Sequence, residues 1–222
     1  MAELDIKGIG MTSQRTRNRL IAQLRVMGIQ HEEVLRVMRY VPRHLFVDEA
    51  LASRSYENTS LPIGHAQTIS QPYIVAKMTE LLLGDSVPEK VLEVGTGSGY
   101  QAAILGGLVR ELHTVERITP LYRNARDLLY QLGYRNVRTH LADGSWGWKE
   151  SAPYDAIMAT AAPKAVPEAL KQQLAIGGKL VIPVGGGDGQ QVLQLIHRIS
   201  EETFKVEIKE AVVFVPLLDK IN

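Results

Sequence analysis

The 222-residue sequence contains no cysteine, which excludes disulfides, thiolate metal sites and cysteine nucleophiles. A cysteine-free chain suits a reducing compartment. No apolar run approaches the roughly 18 residues of a membrane span. Met1–Gly10 carries Glu3 and Asp5 and lacks the basic-then-apolar order of a secretory signal, so a soluble cytoplasmic protein is expected. An excess of one charge is also missing: 25 Lys and Arg stand against 24 Asp and Glu, a net charge of +1. That balance gives no general pull toward nucleic acid or an acidic membrane. The one basic concentration, Arg15, Arg17, Arg19 and Arg25, reads as a solvated helix face. There is no G-x-x-x-x-G-K-[ST] and no H-E-x-x-H, and Ser98 lacks the flanking glycines of a nucleophile elbow. His31, His44, His65, His113, His140 and His197 are scattered, and no metal site is expected.

What is present is an ordinary globular composition, 45% hydrophobic and 22% charged, in a chain long enough for one α/β domain. Residues from about 12 to 56 read as helical. Leu20, Leu24 and Met27 fall at helical spacing before Gly28; Val34, Leu35 and Met38 repeat it before Pro42; a short third helix covers Asp48 to Ser55. Residues 57–70 read as a loop, with Asn58, Ser60, Pro62 and Gly64. Ser70 suits a helix N-cap and Pro72 the first turn, followed by the stripe Ile74, Val75, Met78, Leu81 and Leu82. From Lys90 strands alternate with helices. The expected strands are Lys90–Val94, Glu111–Glu116, Val137–Leu141, Tyr154–Ala159 and Lys179–Val184. The helices between them run from the glycine loop to about Leu108, over Pro120–Leu132, and over Pro167–Leu174, the last ended by Gly177 and Gly178. Val192–Ile199 and Phe204–Val215 then follow without a helix between them, an antiparallel hairpin closing the sheet. Gly185–Gly189 reads as a hairpin turn. The fold class is therefore α/β, doubly wound and mostly parallel, as a single domain over 1–222. An N-terminal helical extension (1–70) precedes the α/β core (71–222).

Leu92-Glu93-Val94-Gly95-Thr96-Gly97-Ser98-Gly99-Tyr100 runs a strand through a glycine turn into a helix. Glycine is needed where the backbone turns with positive φ or a ligand touches the main chain. Glu116 ends the next strand, where a carboxylate can accept both ribose hydroxyls of an adenosine. A dinucleotide site favours G-x-G-x-x-G, which puts a pyrophosphate at a helix start. Here Gly95, Gly97 and Gly99 give G-x-G-x-G after the acidic Glu93. That arrangement suits the cationic, phosphate-free S-adenosylmethionine. Asp143-Gly144 after the third strand is either a plain turn or an acceptor for the adenine amino group.

The run Gln67-Thr68-Ile69-Ser70-Gln71-Pro72-Tyr73 resembles the segment before the cofactor domain of protein-L-isoaspartate O-methyltransferases. So do Leu61-Pro62-Ile63-Gly64, Leu92 to Tyr100, Tyr154 to Pro163, the Gly177-Gly178 stretch and Phe214-Val215-Pro216-Leu217, covering nearly the whole chain in order. The resemblance implies a Rossmann-like methyltransferase sheet and methyl transfer from S-adenosylmethionine to the carboxylate of L-isoaspartyl residues. It implies Ser70 as the active-site serine. It places Thr68, Ile69, Gln71, Glu116, Asp143 and Gly144 around the cofactor, and Tyr73, Glu93, Gly95, Thr96, Gly97 and Gly99 are further expected cofactor-binding residues. An extended peptide would lie between Asn58, Ser60 and Leu61 on one side and Val213, Phe214 and Val215 on the other. Tyr73 stands where some relatives carry His, and Leu218 where some carry a hydroxyl residue. Phe214 and Val215 suit a core role as well as a groove.

A carboxylate is already ionised near neutral pH, with a pKa of about 4, so its methylation needs no general base. Ser70 would either cap the helix or align the incoming carboxylate, and the two roles are compatible. An amine-methylating [DN]-P-P-Y is replaced by Ala159-Thr160-Ala161-Ala162-Pro163, which argues against a base-amine acceptor. Other methyl acceptors, a non-catalytic cofactor-binding module and a nicotinamide oxidoreductase are the competing readings. The expected partners are isoaspartyl peptides and proteins, with no nucleic acid, membrane or metal.

Overall fold

The structure, a computed structural model, describes residues 4–84, 86–185, 190–218 and 221. The N-terminal part holds α1 (Gln14–Val26) and α2 (Glu32–Tyr40), then 3-10 turns over Arg43–Phe46 and Glu49–Arg54. Leu20, Ile21 and Leu24 on α1 meet Val34, Leu35 and Met38 on α2 in one core. The helical spacing read from the sequence is thus the buried face. Arg15, Arg19 and Arg25 are exposed, but Arg17 is not. It is buried and donates to the carbonyls of Ile6, Lys7, Thr12 and Tyr40, which corrects its reading as a solvated residue. The third expected helix is the 3-10 turn Glu49–Arg54, started by Asp48, whose carboxylate accepts from Ala50 N.

The expected loop at 57–70 contains a two-stranded hairpin, β1 (Leu61–Gly64) and β2 (Gln67–Ile69). Its turn places His65 and Ala66 at φ 52° and 55°, the left-handed region that side chains rarely adopt. α3 (Pro72–Leu83) follows, with Pro72 at its first turn. Its N-cap position is Gln71, and no side chain at that position caps it. The cap expected from Ser70 is supplied from elsewhere: Asn58 Oδ1 accepts from Tyr73 N at 2.9 Å. One of the unpaired first-turn donors of α3 is satisfied in this way.

The main sheet runs β5-β4-β3-β6-β7-β8-β9. Its strands are β3 (Lys90–Val94), β4 (Glu111–Glu116), β5 (Val137–Leu141), β6 (Tyr154–Ala159), β7 (Leu174–Gly185), β8 (Gln191–Arg198) and β9 (Phe204–Val212). The first five pair in parallel, and β8 and β9 pair antiparallel. α4 (Tyr100–Gly106), α5 (Thr119–Gln131) and α6 (Glu168–Gln172) supply the crossovers. Alternate residues point to opposite faces. Val91, Leu112, Met158 and Val181 therefore join the core of the N-terminal helices, and Leu92, Val94, Ile157, Leu180 and Ile182 join α6 on the other side. Gly177 and Gly178 lie inside β7, where they were expected to end a helix. α6 stops earlier, and the strand pairing shifts between Tyr154 and Ala156 to take them in. Of the turn expected at Gly185–Gly189, residues 186–189 lie outside the described residues. Among the described residues no helix is long and apolar enough to cross a membrane.

In this strand order β4 and β6 flank β3 on opposite sides, and the chain reverses direction there. The crevice outside the carboxyl ends of the strands at such a point is where open α/β sheets bind ligands.

Candidate active site

β3 ends at Val94, and the backbone turns sharply at Gly95, with φ 96°. A Cβ added at Gly95 would stand 2.5 Å from Thr160 Oγ1, so glycine is required by both conformation and space. Thr160, just beyond β6, holds the turn by donating to Gly95 O at 2.7 Å. Glu116 fixes the other side. Its Oε2 accepts from Gly97 N at 2.8 Å, and its Oε1 from Arg117 N and Ile118 N at 2.9 Å. Each carboxylate oxygen has two lone pairs, so acceptor capacity remains. Gly144 passes so close to β3 that a Cβ would meet Val94 Cγ1 at 2.5 Å.

These turns bound a cavity whose walls also include Thr68, Ile69, Ser70, Thr96, Tyr100, Gln101 and Ile118. The C-terminal segment closes it. Ala162 N donates to Val215 O and Leu217 N to Ala162 O, both at 2.8 Å, strapping Val215–Leu217 beside the end of β6. A second groove of about 710 Å³ lies alongside, lined by Ser60, Gln71, Ile74, Gln191, Val192 and Ala211–Phe214 among others. Thr68, Ser70, Thr160 and Val215 line both spaces. Ser70 is half-buried, and its hydroxyl makes no hydrogen bond to another described residue, so nothing in the fold occupies it.

The sequence-predicted residues divide on this map. Thr68, Ile69, Ser70, Gly95, Thr96, Gly97, Glu116 and Gly144 meet at the first cavity. Gln71 lines the groove, not the cavity, because it faces out from the start of α3. Tyr73 lines neither space: it packs against the core, and burial with Glu210 nearby pushes its phenol above the usual range. Gly99 turns the chain into α4 against Ala125 and Leu129. Asp143 Oδ1 accepts from Ser145 N and Ser145 Oγ and caps a short 3-10 turn. Glu93 is fully buried below the glycine turn; Thr114 Oγ1 donates to it, and Thr114 in turn meets Thr96 Oγ1 at 2.6 Å. Burial pushes the Glu93 carboxyl up to about 8, so it is not the anion facing the cavity that its position in the motif suggested. On the groove side Ser60, Val213, Phe214 and Val215 line the wall, while Leu61 is a core residue and Asn58 is engaged with Tyr73. Sequence reasoning missed Gln67, Ser98, Gln101, Arg117 and Ile118 at the cavity and Gln191 at the groove, while Leu218, singled out as a departure from the family, does line the cavity. Gln67 and Ser98 stood inside the two quoted motifs, and Ile118 carried a signal as the apolar residue two places after Glu116. Among the described residues no group of three or more His, Asp or Glu is arranged to hold a metal.

A family model for protein-L-isoaspartate(D-aspartate) O-methyltransferase matches residues 14–222. The chain belongs to this family. A protein-L-isoaspartate O-methyltransferase from Cellvibrio japonicus is 58% identical over 221 residues, 98% of each chain. A solved protein-L-isoaspartate O-methyltransferase superimposes with a TM-score of 0.82 at 26% identity. It covers 90% of this chain, which spans 65% of that chain's length. A Plasmodium falciparum structure described as a protein-L-isoaspartate O-methyltransferase, in complex with S-adenosyl-L-homocysteine, shares the fold at a TM-score of 0.76 and 24% identity. It covers 91% of this chain and 98% of its own.

Proposed function

We propose that the cavity at the glycine turn holds S-adenosylmethionine, that the neighbouring groove presents a peptide, and that Ser70 aligns the acceptor on the wall between them. The enzyme methylates the free carboxylate of L-isoaspartyl residues in damaged peptides and proteins, the first step of their repair. The observation that supports this assignment most directly is the shared wall of Thr68, Ser70, Thr160 and Val215. A two-substrate transfer needs two separate approaches to one point, and proximity there replaces a collision in solution.

The residues suit the cofactor. Glu116 Oε2 retains one acceptor site for a ribose hydroxyl, Gly95 and Gly97 bring main chain to the cavity wall, and Ile118 offers an apolar surface to a purine. When bound, S-adenosylmethionine supplies a methyl group on a positively charged sulfur. The acceptor oxygen bonds to that methyl carbon as the carbon–sulfur bond breaks and its electron pair stays on sulfur. A carboxylate and a sulfonium become an ester and a thioether, and no proton moves. No general base is required, and no histidine lines the cavity. The chain's task is to align oxygen, carbon and sulfur and to exclude water. A hydroxyl without another partner, as on Ser70, is free to donate to the carboxylate and fix its direction.

The groove suits an extended peptide read through its backbone, which accepts many side chains. Gln191 holds both backbone groups of Phe214, its Oε1 accepting from Phe214 N at 2.7 Å and its Nε2 donating to Phe214 O at 3.1 Å. Val213 beside it is 92% exposed. The net charge of +1 favours a protein substrate over a nucleic acid.

Two synthetic peptides differing only in L-isoaspartate against L-aspartate test the reading with labelled S-adenosylmethionine. Base-labile label on the isoaspartyl peptide alone is expected. Cofactor binding without transfer to either peptide would overturn the acceptor assignment.

A further inference from the structure

Arg43, at the start of the 3-10 turn after α2, is 0% exposed. All of its partners are uncharged. Nε donates to Ser55 O and Nη2 to Ser70 O, each at 2.8 Å. The guanidinium centre stands 4.7 Å from the centre of the Tyr100 ring. Nη1, also buried, has no hydrogen-bond partner. Among the described residues no carboxylate lies within ion-pair distance of it. A guanidinium stays protonated in a protein, so a full positive charge is buried here without a counter-charge, an arrangement that costs the fold stability.

Arg17 is buried in a similar way, but the carbonyls it holds belong to Ile6, Lys7, Thr12 and Tyr40, and none of these lines either space. Arg43 differs in what it touches. Ser70 lines both the cavity and the groove, and Tyr100 lines the cavity. Ser70 lies in the short stretch between β2 and α3, outside any backbone ladder, and its carbonyl is held by this one side chain. Among the described residues no carboxylate pairs with the guanidinium, and the reaction brings two anions to this wall, the acceptor carboxylate and the carboxylate of the cofactor's own methionine part. Ser70 lines the groove as well as the cavity, and the affinity for S-adenosylhomocysteine, which keeps that second carboxylate, separates the two.

We infer that Arg43 is a positioning residue for methyl transfer: it fixes the backbone of Ser70, and its uncompensated charge favours an anionic acceptor beside that serine. This rests on the assignment of Ser70 as the residue that aligns the acceptor. Lysine at position 43 keeps the charge but has one donor centre, so it does not bridge the carbonyls of Ser55 and Ser70 together.

The test is steady-state methyl transfer to an isoaspartyl peptide by wild type, R43K, S70A and the double variant, with S-adenosylhomocysteine affinity measured by calorimetry on each. R43K is expected to bind S-adenosylhomocysteine within about threefold of wild type and to lose tenfold or more in kcat/KM for the peptide. In the S70A background the same substitution is expected to cost less than about twofold. An equal loss in both backgrounds, or no loss in the wild-type background, would overturn the inference. If R43K does not fold, competition by peptides bearing the isoaspartyl carboxylate or its carboxamide, on wild type with S-adenosylhomocysteine bound, is the deciding measurement. A carboxylate preference of tenfold or more is expected, and equal affinity would overturn the charge assignment. Failure of wild type to methylate the peptide at all would instead remove the underlying function.

Discussion

Ser70 is placed by its neighbours and left unoccupied by them. Its carbonyl is held by Arg43, and α3 takes its cap from Asn58, so the hydroxyl has no structural duty. A hydroxyl donating to a charged carboxylate contributes about 1.5–3 kcal/mol. Ser70→Ala should therefore lower kcat/KM for an isoaspartyl peptide by roughly tenfold to a hundredfold. Thermal stability should stay within about 0.5 kcal/mol of wild type, and cofactor affinity should barely change. A large loss of cofactor binding, measured by calorimetry, would place Ser70 with the cofactor and remove its role toward the acceptor. Glu116 shows the opposite design. Its carboxylate already holds three backbone N–H groups, so it organises the glycine turn before any ligand arrives. Such a group binds and shapes at once, and its two contributions are inseparable by a single truncation.

At the scale of the element, the segment 57–72 is where local pattern and structure part. Asn58 links the chain before the β1–β2 hairpin to the first turn of α3, across 15 residues. Losing a side-chain cap typically costs about 1 kcal/mol. Asn58→Ala should lower unfolding free energy by about that amount, raise KM for the peptide through displaced Ser60, and leave cofactor affinity alone; unchanged stability in a denaturant titration would refute the cap. A sequence reading assigns the cap to Ser70 because capping is ordinarily local, and here it is not. The hairpin was illegible for a similar reason. Its strands are four and three residues long, and its turn uses His65 and Ala66 where a two-residue hairpin ordinarily advertises Asn-Gly or Asp-Gly. Gly177 and Gly178 misled in the other direction. Glycine after a helical pattern signals a stop, yet these two let β7 bulge past Asp155, whose carbonyl a Cβ on Gly178 would meet at 2.9 Å. The strands β3 to β6, by contrast, were legible residue for residue, because each is a short β-rich run bounded by turn residues, whereas β7 begins five residues before the expected Lys179. The glycine turn and Glu116 were legible as a unit, whereas Gln71 and Tyr73 were not separable from Thr68 and Ser70. Which way a side chain faces at a helix start depends on tertiary packing that one sequence does not encode locally.

For the whole molecule, a buried carboxyl and a half-buried imidazole set opposing slopes of stability against pH. Burial, with Glu116 nearby, pushes the Glu93 carboxyl up to about 8. Between its ordinary value near 4.5 and about 8, the folded chain holds a proton there that the unfolded chain has released. Stability therefore falls as pH rises through that window, by at most about 1.4 kcal/mol per pH unit. His140 runs the other way. Burial, with His113 beside it, holds its imidazole down to about 4, so between about 4 and 6.5 the unfolded chain binds the extra proton and stability rises with pH. The two slopes oppose each other up to about pH 6.5, and Glu93 acts alone from there to about 8. Glu93→Gln removes the ionisable group while keeping an acceptor for the Thr114 hydroxyl and nearly the same volume. Its unfolding free energy relative to wild type should climb steadily from pH 5 to pH 8 and flatten above. The climb belongs to Glu93 alone, since His140 contributes equally to both proteins and cancels. Denaturant titrations of the two proteins at pH 5, 6.5 and 8 measure it directly. A difference that stays constant over that range would mean that Glu93 ionises normally in the folded chain, as an anion buried beneath the glycine turn against Thr114.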